Sequence, residues 1–290
     1  MKKQLVLLVA IAIIMGLTAC AQQTPVKPAA TEVPVVATTA PVATKNPVIR
    51  LSTTTSVNDS GLLPYLQPFF ESDTGYKLEV TSAGTGAAIQ KAVDGNADCL
   101  LVHSKTSEDT FVNQGFGEQR VSFMYNYFVI VGPKDDPAGV KNATTAGEAF
   151  QAIAKASAKF ITRGDASGTN NAELNIWKAI NYDPKGKDWY INIGGGMGQA
   201  LTMADEKQAY TLSDKATYLA HKGALSILLP ESADMKNTYT MIAITPARWP
   251  GTNYDGALAF IKWMTSARGL DLISKYGVDQ YGEQLFFILK

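Results

Sequence analysis

The stretch Arg163-Gly164-Asp165-Ala166-Ser167-Gly168-Thr169 joins a strand-like apolar run at residues 159–162 to an apolar-periodic run at residues 171–180 that predicts a helix. A turn of small residues before a helix presents backbone N–H groups that have no helical partner, at the positive end of the helix dipole. The arginine adds a fixed fork of hydrogen-bond donors. This strand–turn–helix unit therefore predicts an α/β fold that carries an anion-binding site.

Two upstream segments have the same chemistry. They are Ser52-Thr53-Thr54-Thr55-Ser56 and Thr81-Ser82-Ala83-Gly84-Thr85-Gly86, and each lies between a strand-like run and a helical one. Taken singly, the first is also consistent with a solvated loop, the second with a tight turn and helix cap, and Arg163 beside Asp165 with a local ion pair. Taken together, the three turns predict one small oxyanion that is held by neutral dipoles and a single cation.

From residue 48 onward, strand patterns and helix patterns alternate along the chain. This alternation predicts parallel sheets with helices on both faces, and ligands in such folds bind at the carboxyl ends of the strands. A fourth glycine-rich turn, Gly194-Gly195-Gly196-Met197-Gly198, lacks the Lys-Ser/Thr pair of a P-loop and does not continue as a dinucleotide fingerprint. We interpret it as a close-approach turn on the rim of the ligand cleft.

The amino-acid composition and the spacing of candidate motifs argue against several classes of function. Lys and Arg together number 26, as do Asp and Glu, and no basic stripe occurs, so a nucleic-acid partner is not expected. No His/Cys/carboxylate spacing typical of a metal site and no Gly-x-Ser-x-Gly elbow is found, so we predict no metal site, no cofactor and no enzymatic activity. A secreted hydrolase that uses Ser56 or Ser167 is the alternative from another class. Cys99 lies in an apolar run, which predicts a buried thiol outside any disulfide.

The amino terminus carries export signals. Residues 1–19 predict a signal peptide, with Lys2 and Lys3 before an apolar run that is short for a membrane span. The segment Leu17-Thr18-Ala19-Cys20 resembles a bacterial lipobox, which implies cleavage before Cys20 and lipidation of its thiol; an uncleaved anchor and a plain signal peptide are the alternatives. Residues 20–47 continue as a Pro/Thr/Ala-rich linker. We therefore expect secretion across the cytoplasmic membrane and a lipid anchor on its extracellular or periplasmic face.

A series of different short motifs follows in a fixed order along nearly the whole chain after the linker. It comprises Thr53-Thr54-Thr55-Ser56, Gly84-Thr85-Gly86, Val102-His103, Met124-Tyr125-Asn126, Arg163-Gly164-Asp165, Ser167-Gly168-Thr169, Gly196-Met197-Gly198, Tyr210-Thr211-Leu212-Ser213-Asp214 and Gly277-Val278. With this set the sequence resembles the tungstate-binding lipoproteins of bacterial ABC transporters. The resemblance implies a type II periplasmic-binding-protein fold with two lobes, each a sheet flanked by helices, and the ligand in the cleft. It places lobe 1 at residues 48–131 and 243–290, and lobe 2 at residues 132–242.

The resemblance also implies a function and a set of ligand contacts. The function is high-affinity extracytoplasmic binding of tungstate and its delivery to a permease subunit, and we expect a monomer. Carried over by position, the ligand-binding residues are Thr54, Thr55, Ser56, Ser82, Thr85, Arg163, Ser167, Gly168 and Thr169. Three positions depart from the family pattern: Ala166 replaces an expected carboxylate, Asn170 an expected histidine and Tyr127 an expected aspartate. These departures bear on selectivity.

The chemistry of the ligand leaves alternatives open. Tungstate and molybdate carry no proton at neutral pH, so all their oxygens accept hydrogen bonds and an ideal site offers only donors. Protonated phosphate also needs an acceptor, which Asp165 could supply. If Asp165 instead pairs with Arg163 or caps the helix, a proton-free oxyanion is favoured. Molybdate, which nearly matches tungstate in size, stays open, as does a ligand sensor without transport.

Overall fold

The computed structural model describes residues 46–221 and 223–290. The predicted signal peptide, the lipidated Cys20 and the linker as far as residue 45 lie outside the described residues, so those predictions stay as stated. Within the described ranges, no helix is both long enough and apolar enough to cross a membrane.

The first part of the chain alternates strands and helices. In order these are β1 (Val48–Thr54), α1 (Thr55–Asp59), α2 (Leu62–Thr74), β2 (Lys77–Ala83), α3 (Thr85–Val93), β3 (Cys99–Val102) and α4 (Lys105–Asn113). Strand β1 lies between β2 and β3 and pairs with both in parallel. The first two hydroxyl-rich turns therefore lie at the carboxyl ends of neighbouring strands, β1 and β2, at one edge of the sheet.

The middle part starts with a long strand and continues in short units. These elements are β4 (Gly117–Gly132), α5 (Ala146–Ala156), β5 (Phe160–Thr162), α6 (Gly168–Ala179), β6 (Tyr190–Asn192), α7 (Met197–Lys207), β7 (Thr211–Asp214), α8 (Lys215–Ala220) and β8 (Ser226–Leu229). Strands β5 and β6 pair in parallel, and a bridge from Phe160 to Tyr210 links β5 to the residue before β7. Asp214 caps α8 as predicted, because its side chain accepts a hydrogen bond from Thr217 N at 2.9 Å.

The last part returns to the first sheet. It contains β9 (Lys236–Ile244), α9 (Tyr254–Met264), α10 (Ala267–Lys275), α11 (Val278–Tyr281) and β10 (Phe287–Ile288). The helical pattern at residues 254–276, which allows one long helix or two short ones, forms two. The break falls at Ser266, whose hydroxyl accepts a hydrogen bond from Gly269 N at 3.1 Å and so begins a new helix.

The sheets are mixed: the predicted parallel pairing is found for β1 with β2 and β3 and for β5 with β6, but not for the other strands. Strand β4 pairs antiparallel with β7, β8, β9 and β10, and β3 pairs antiparallel with β9. The physical reason is the length of β4, which has 16 residues. Its amino-terminal part pairs with β9 and β10 and its carboxyl-terminal part with β7 and β8, so it serves both halves of the molecule without the helical crossover that parallel neighbours require.

The hydrophobic core consists of separate clusters, which lie on either side of the point where β4 passes from one half of the molecule to the other. One cluster packs helices α2, α9 and α10 against β1 and contains Phe70 and Cys99; Cys99 is fully buried and free, as predicted. Another packs α5 and α6 around Trp177. Along β4, Met124 belongs to the first cluster and Phe128 to the second. Where the chain returns to the first sheet, Met235 still belongs to the second cluster and Tyr239 belongs to the first. The lobe boundaries at 131/132 and 242/243 stay predictions, and the packing changes a few residues earlier in each case.

Candidate oxyanion-binding site

Arg163 follows β5 and points its guanidinium into the junction between the two halves. The side chain is buried, with 2% of its surface exposed. Its Nη2 donates to Asp165 Oδ2 at 2.6 Å and to Thr55 Oγ1 at 2.9 Å, and its Nε donates to the backbone oxygen of Gly195 at 3.3 Å. These contacts hold the guanidinium in one orientation. Its Nη1 is buried and has no hydrogen-bond partner in the described chain.

The Asp165 carboxylate forms hydrogen bonds with other residues of its own turn. Gly164 and Ala166 on either side have positive φ angles of 62° and 54°, so the backbone curls tightly between β5 and α6. While Oδ2 accepts from Arg163, Oδ1 accepts from Ser167 N at 3.2 Å. Both carboxylate oxygens are thus used within the protein. Of the alternatives left open by the sequence, the structure shows the pairing of Asp165 with Arg163.

Three hydroxyl groups and Arg163 Nη1 form a set of buried donors without partners. Thr54, Ser56 and Thr169 are at most 2% exposed. Within residues 46–221 and 223–290, none of their hydroxyl oxygens has a hydrogen-bond partner. Thr54 and Ser56 flank Thr55, which Arg163 contacts. Because buried polar groups are normally paired, four unpaired donors on two turns that the Arg163–Thr55 hydrogen bond joins indicate a ligand. We refer to these four groups as the donor cluster.

The remaining predicted ligand residues take different positions. Thr85 is buried, and its Oγ1 accepts a hydrogen bond from Gly168 N at 2.9 Å, so these two predicted ligand residues contact each other. Ser167 begins α6, and its Oγ accepts from Asn170 N at 3.2 Å, which leaves the hydroxyl proton available to a ligand. Ser82 is exposed near the end of β2, where it is the register partner of Thr53. Its role in binding stays a prediction.

A buried polar layer supports the turn from the α6 side. Asn170 accepts from Ala166 N at 3.3 Å and donates to Thr162 Oγ1 at 3.1 Å. Glu173 is 2% exposed and accepts from Thr162 Oγ1 at 2.6 Å and from two aromatic side chains. Burial raises the pKa of Glu173 to about 7 in spite of these donors. Asn170, one of the departures from the family pattern, therefore orders the turn behind Arg163.

The glycine-rich turn before α7 forms hydrogen bonds with Arg163. Gly195 N donates to the backbone oxygen of Arg163 at 3.1 Å, in addition to the contact that Gly195 O makes with Nε. A methyl group built on Gly196 would lie 3.9 Å from the Thr55 methyl carbon. The turn thus approaches the site closely, as the sequence predicts. Its direct contact with the arginine is a contribution that the sequence pattern does not reveal.

A second buried carboxylate, Asp214, belongs to the site and is absent from the sequence-based set of ligand residues. It is 0% exposed; its Oδ1 accepts from Thr217 N at 2.9 Å, and Oδ2 has no partner in the part of the chain that the structure describes. The Thr217 hydroxyl reaches Ser56 O at 3.4 Å, so the start of α8 lies beside the start of α1. Burial raises the pKa of Asp214 to about 6, against the lowering effects of Thr217 and the nearby charge of Arg163. Its sequence signals are its helix-capping position and its place in the motif Tyr210-Thr211-Leu212-Ser213-Asp214.

A row of amides connects Asp214 to the other half of the molecule. Asn126 and Asn237 are register partners on β4 and β9, and Asn237 Nδ2 donates to Asn126 Oδ1 at 2.9 Å. Asn126 Nδ2 lies 3.5 Å from Asp214 Oδ1, and Asn237 Oδ1 lies 2.9 Å from His103 Nδ1. Burial lowers the pKa of His103 to about 4, so the imidazole is neutral at physiological pH. This row fixes the orientation of the Asp214 carboxyl group.

The arrangement is suited to holding an anion. Three neutral hydroxyls and a guanidinium each have a donor to offer, which matches a ligand whose oxygens all accept. No group of three or more His, Cys, Asp or Glu side chains among residues 46–221 and 223–290 is placed to hold a metal ion.

Comparison with known proteins places the chain in a family. Residues 36–268 match the family described as PBP superfamily domain. This chain belongs to the PBP superfamily. It is similar to the tungstate-binding protein TupA of Peptoclostridium acidaminophilum, with 44% identity over 242 residues, which cover 82% of this chain and 84% of that protein.

Two solved structures of this superfamily extend the comparison. The tungstate ABC transporter protein from Geobacter sulfurreducens is 46% identical, with a TM-score of 0.74 and coverage of 79% of this chain and 98% of that one. The tungstate-binding protein TupA from Desulfovibrio alaskensis G20 is 38% identical, with a TM-score of 0.70 and coverage of 84% and 99%. The comparisons confirm the predicted α/β periplasmic-binding-protein fold and the resemblance to tungstate-binding proteins. They also confirm the prediction of a binding protein and not an enzyme.

Proposed function

We propose that this protein binds tungstate outside the cytoplasm and delivers it to the permease subunit of an ABC transporter. The donor cluster carries the proposal: the hydroxyls of Thr54, Ser56 and Thr169 and Arg163 Nη1 are buried and unpaired within the described residues. A tetrahedral dianion offers an acceptor oxygen to each of them. Hydrogen bonds to a charged group are roughly twice as strong as neutral ones, so Arg163 dominates the affinity. The names of the relatives support tungstate as the anion.

The commitments of Asp165 favour a proton-free ligand over phosphate. Its two oxygens accept from Arg163 Nη2 and Ser167 N, so much of its acceptor capacity is already used within the protein. Molybdate has the same tetrahedral, acceptor-only chemistry as tungstate, and competition between the two measures the preference.

Binding follows from closure of two lobes on the anion. We take residues 48–131 and 243–290 as one lobe and residues 132–242 as the other. The hydrogen bonds that cross between them include those from Arg163 to Thr55 and from Gly168 to Thr85. Closure removes the anion from water, which strengthens every charge-assisted bond to it. The closed, loaded form is the one that a permease can recognise.

The proposal includes a lipid tether. Lipidation of Cys20 and the Pro/Thr/Ala-rich linker would hold the binding unit, as a monomer, near the membrane that contains the permease. The variant Cys20→Ala is expected to move the protein from the membrane fraction to the soluble extracytoplasmic fraction. A variant that stays in the membrane fraction would favour the uncleaved anchor instead.

Isothermal titration calorimetry tests the ligand. Tungstate is expected to bind tightly and molybdate to compete, while sulfate and phosphate do not displace it. Displacement by phosphate would move the protein to a phosphate-binding function. Absence of binding by all four anions would contradict the oxyanion proposal itself.

Substitutions of Arg163 test the site. The variant Arg163→Gln is expected to weaken tungstate binding by about 100-fold or more, since a charged hydrogen bond in a buried site contributes on the order of 3 kcal/mol. Arg163→Lys keeps the charge but loses the planar fork, so an intermediate loss is expected. The control Arg268→Gln removes an arginine that is exposed and paired with Asp73 away from the site, and it should leave affinity unchanged. Tight binding by Arg163→Gln would refute the assignment.

A further inference from the structure

The charges around the donor cluster do not balance a dianion. The positive charge of Arg163 is already matched by Asp165, which lies 2.6 Å away. A bound dianion therefore brings two negative charges that only neutral dipoles offset, and an ionised Asp214 would add a third. Burying charge without compensation is costly, and a protein commonly avoids the cost by changing the protonation of a nearby group. Asp214 is the candidate for that change, because it is fully buried and holds the backbone N–H of Thr217, whose hydroxyl reaches Ser56 O.

The contacts of Asp214 leave one oxygen available. Thr217 N at 2.9 Å and Asn126 Nδ2 at 3.5 Å both address Oδ1. The second oxygen, Oδ2, is buried and unpaired within the described ranges, as is the hydroxyl of Ser56. The carboxyl group is thus held by one oxygen, and the other is free to carry a proton and donate it.

We propose that Asp214 meets the oxyanion as a neutral carboxylic acid: as the dianion enters, Oδ2 takes up one proton from solvent and donates a hydrogen bond to a ligand oxygen. Asp214 is then a fifth donor of the site and a specificity determinant for fully deprotonated oxyanions. This inference rests on the proposed function.

Other titratable groups face Asp214 from the surrounding elements. The charge of Arg163 after β5 acts on Asp214, and the exposed Asp59 at the end of α1, whose pKa is raised by burial, lies within the field of the same arginine. Tyr239 on β9 stays neutral, since burial raises its pKa well above 10. On the same helix as the cap, Lys215 is engaged by two glutamates. Glu173 on α6 has a pKa of about 7 and therefore also titrates near neutral pH. The experiment must distinguish its proton uptake from that of Asp214.

Proton uptake by the wild-type protein is the primary measurement. Tungstate is titrated calorimetrically at pH 7.5 in several buffers that differ in ionisation enthalpy. Because free Asp214 has a pKa of about 6 and the bound dianion raises it, the heats should report uptake approaching one proton per anion. The affinity should be constant below about pH 6 and fall by up to about tenfold per pH unit above it.

Two variants assign the proton to a residue. Asp214→Asn keeps an oxygen for the helix cap and places an N–H where Oδ2–H would lie, so it should bind tungstate without proton uptake and with a constant affinity. At pH 8.5 it should bind more tightly than the wild type. The matched control Glu173→Gln should retain the proton uptake. Thermal melts verify that both variants fold, and the buffer experiment on the wild type stands even if one does not.

The outcomes separate this proposal from the function it rests on. Failure of the wild type to bind tungstate at any pH overturns the proposed function. Tight binding with no proton uptake overturns only the role of Asp214. Uptake that persists in Asp214→Asn and disappears in Glu173→Gln would assign the proton to Glu173 and likewise overturn it.

Discussion

Thr85 Oγ1 accepts a hydrogen bond from the backbone N–H of Gly168 at 2.9 Å. Thr85 is the first residue of α3 and Gly168 is the first residue of α6, so the bond joins two helix starts that belong to different lobes in our proposal. The first N–H groups of a helix have no partner inside it. The sequence assigns both residues to the ligand, whereas the structure shows them paired with each other. This contact therefore contributes to closure of the cleft.

Removing the acceptor should weaken closure. In Thr85→Val the Gly168 N–H loses its partner in a buried place, which costs about 1 to 3 kcal/mol, so the dissociation constant for tungstate should rise roughly 5- to 100-fold. Small-angle scattering of the anion-free variant should also show a more open molecule. The control Thr202→Val, at an exposed site on α7, should change neither quantity. An unchanged scattering profile together with weaker binding would assign Thr85 to the ligand alone.

A side chain on Gly168 should hold the lobes apart. A methyl group there would lie 2.6 Å from His103 Cε1 and Nδ1 and 3.0 Å from the backbone oxygen of His103. Gly168→Ala is favourable for the helix itself, so folding should be retained. Tungstate affinity is expected to fall at least about tenfold, because overpacking costs roughly 1 to 3 kcal/mol. Gly198→Ala is the matched control, since nothing lies within 4 Å of its added carbon; equal affinities for the two variants would contradict the contact.

Two serines that the sequence treats alike should behave differently. Ser56 is fully buried with an unpaired hydroxyl, whereas Ser82 is exposed. Loss of a hydrogen bond to a charged ligand costs about 1.5 to 3 kcal/mol, so Ser56→Ala should weaken tungstate binding roughly 10- to 100-fold. Ser82→Ala should stay within about twofold of wild type, because an exposed hydroxyl makes a small contribution. Calorimetric titration of both variants measures the difference, and a larger loss in Ser82→Ala would reverse the assignment.

Stability should fall as pH rises through the weakly acidic range. The pKa of Glu173 is about 7 in the folded protein, above its ordinary value of 4.5, so the folded state holds this proton more tightly than the unfolded state. The resulting stability is fully present below about pH 4.5 and lost as pH approaches 7, by on the order of 2 to 3 kcal/mol. Asp214 acts in the same direction between pH 3.8 and about 6.

Chemical denaturation at intervals from pH 4 to pH 8 measures this loss. Glu173→Gln should show a smaller decline in unfolding free energy than the wild type, and the exposed Glu206→Gln should follow the wild type. A Glu173→Gln profile that matches the wild type would show that another group carries the pH dependence.

Local patterns account for the parts of the site that the sequence predicts correctly. The turns before α1, α3 and α6 are recognisable because glycine, serine and threonine have local reasons to stand between a strand and a helix. Asp214 is recognisable as a cap for the same reason. Burial of Thr54, Ser56, Arg163 and Thr169 follows from their position at strand ends and at the helix starts that follow them, where ligands of α/β folds bind.

Contacts between distant segments account for what the sequence does not predict. Arg163 reaches Thr55 across 108 positions, and Gly168 reaches Thr85 across 83. The antiparallel pairing of β4, the unpaired oxygen of Asp214 and the exposure of Ser82 depend equally on which elements become neighbours. A sequence pattern reports the chemistry of a side chain and its local backbone, and these are properties of a few consecutive residues. Which donors are paired and which remain for an anion is settled by long-range packing, because hydrogen-bond partners and burial exist only after the two halves meet.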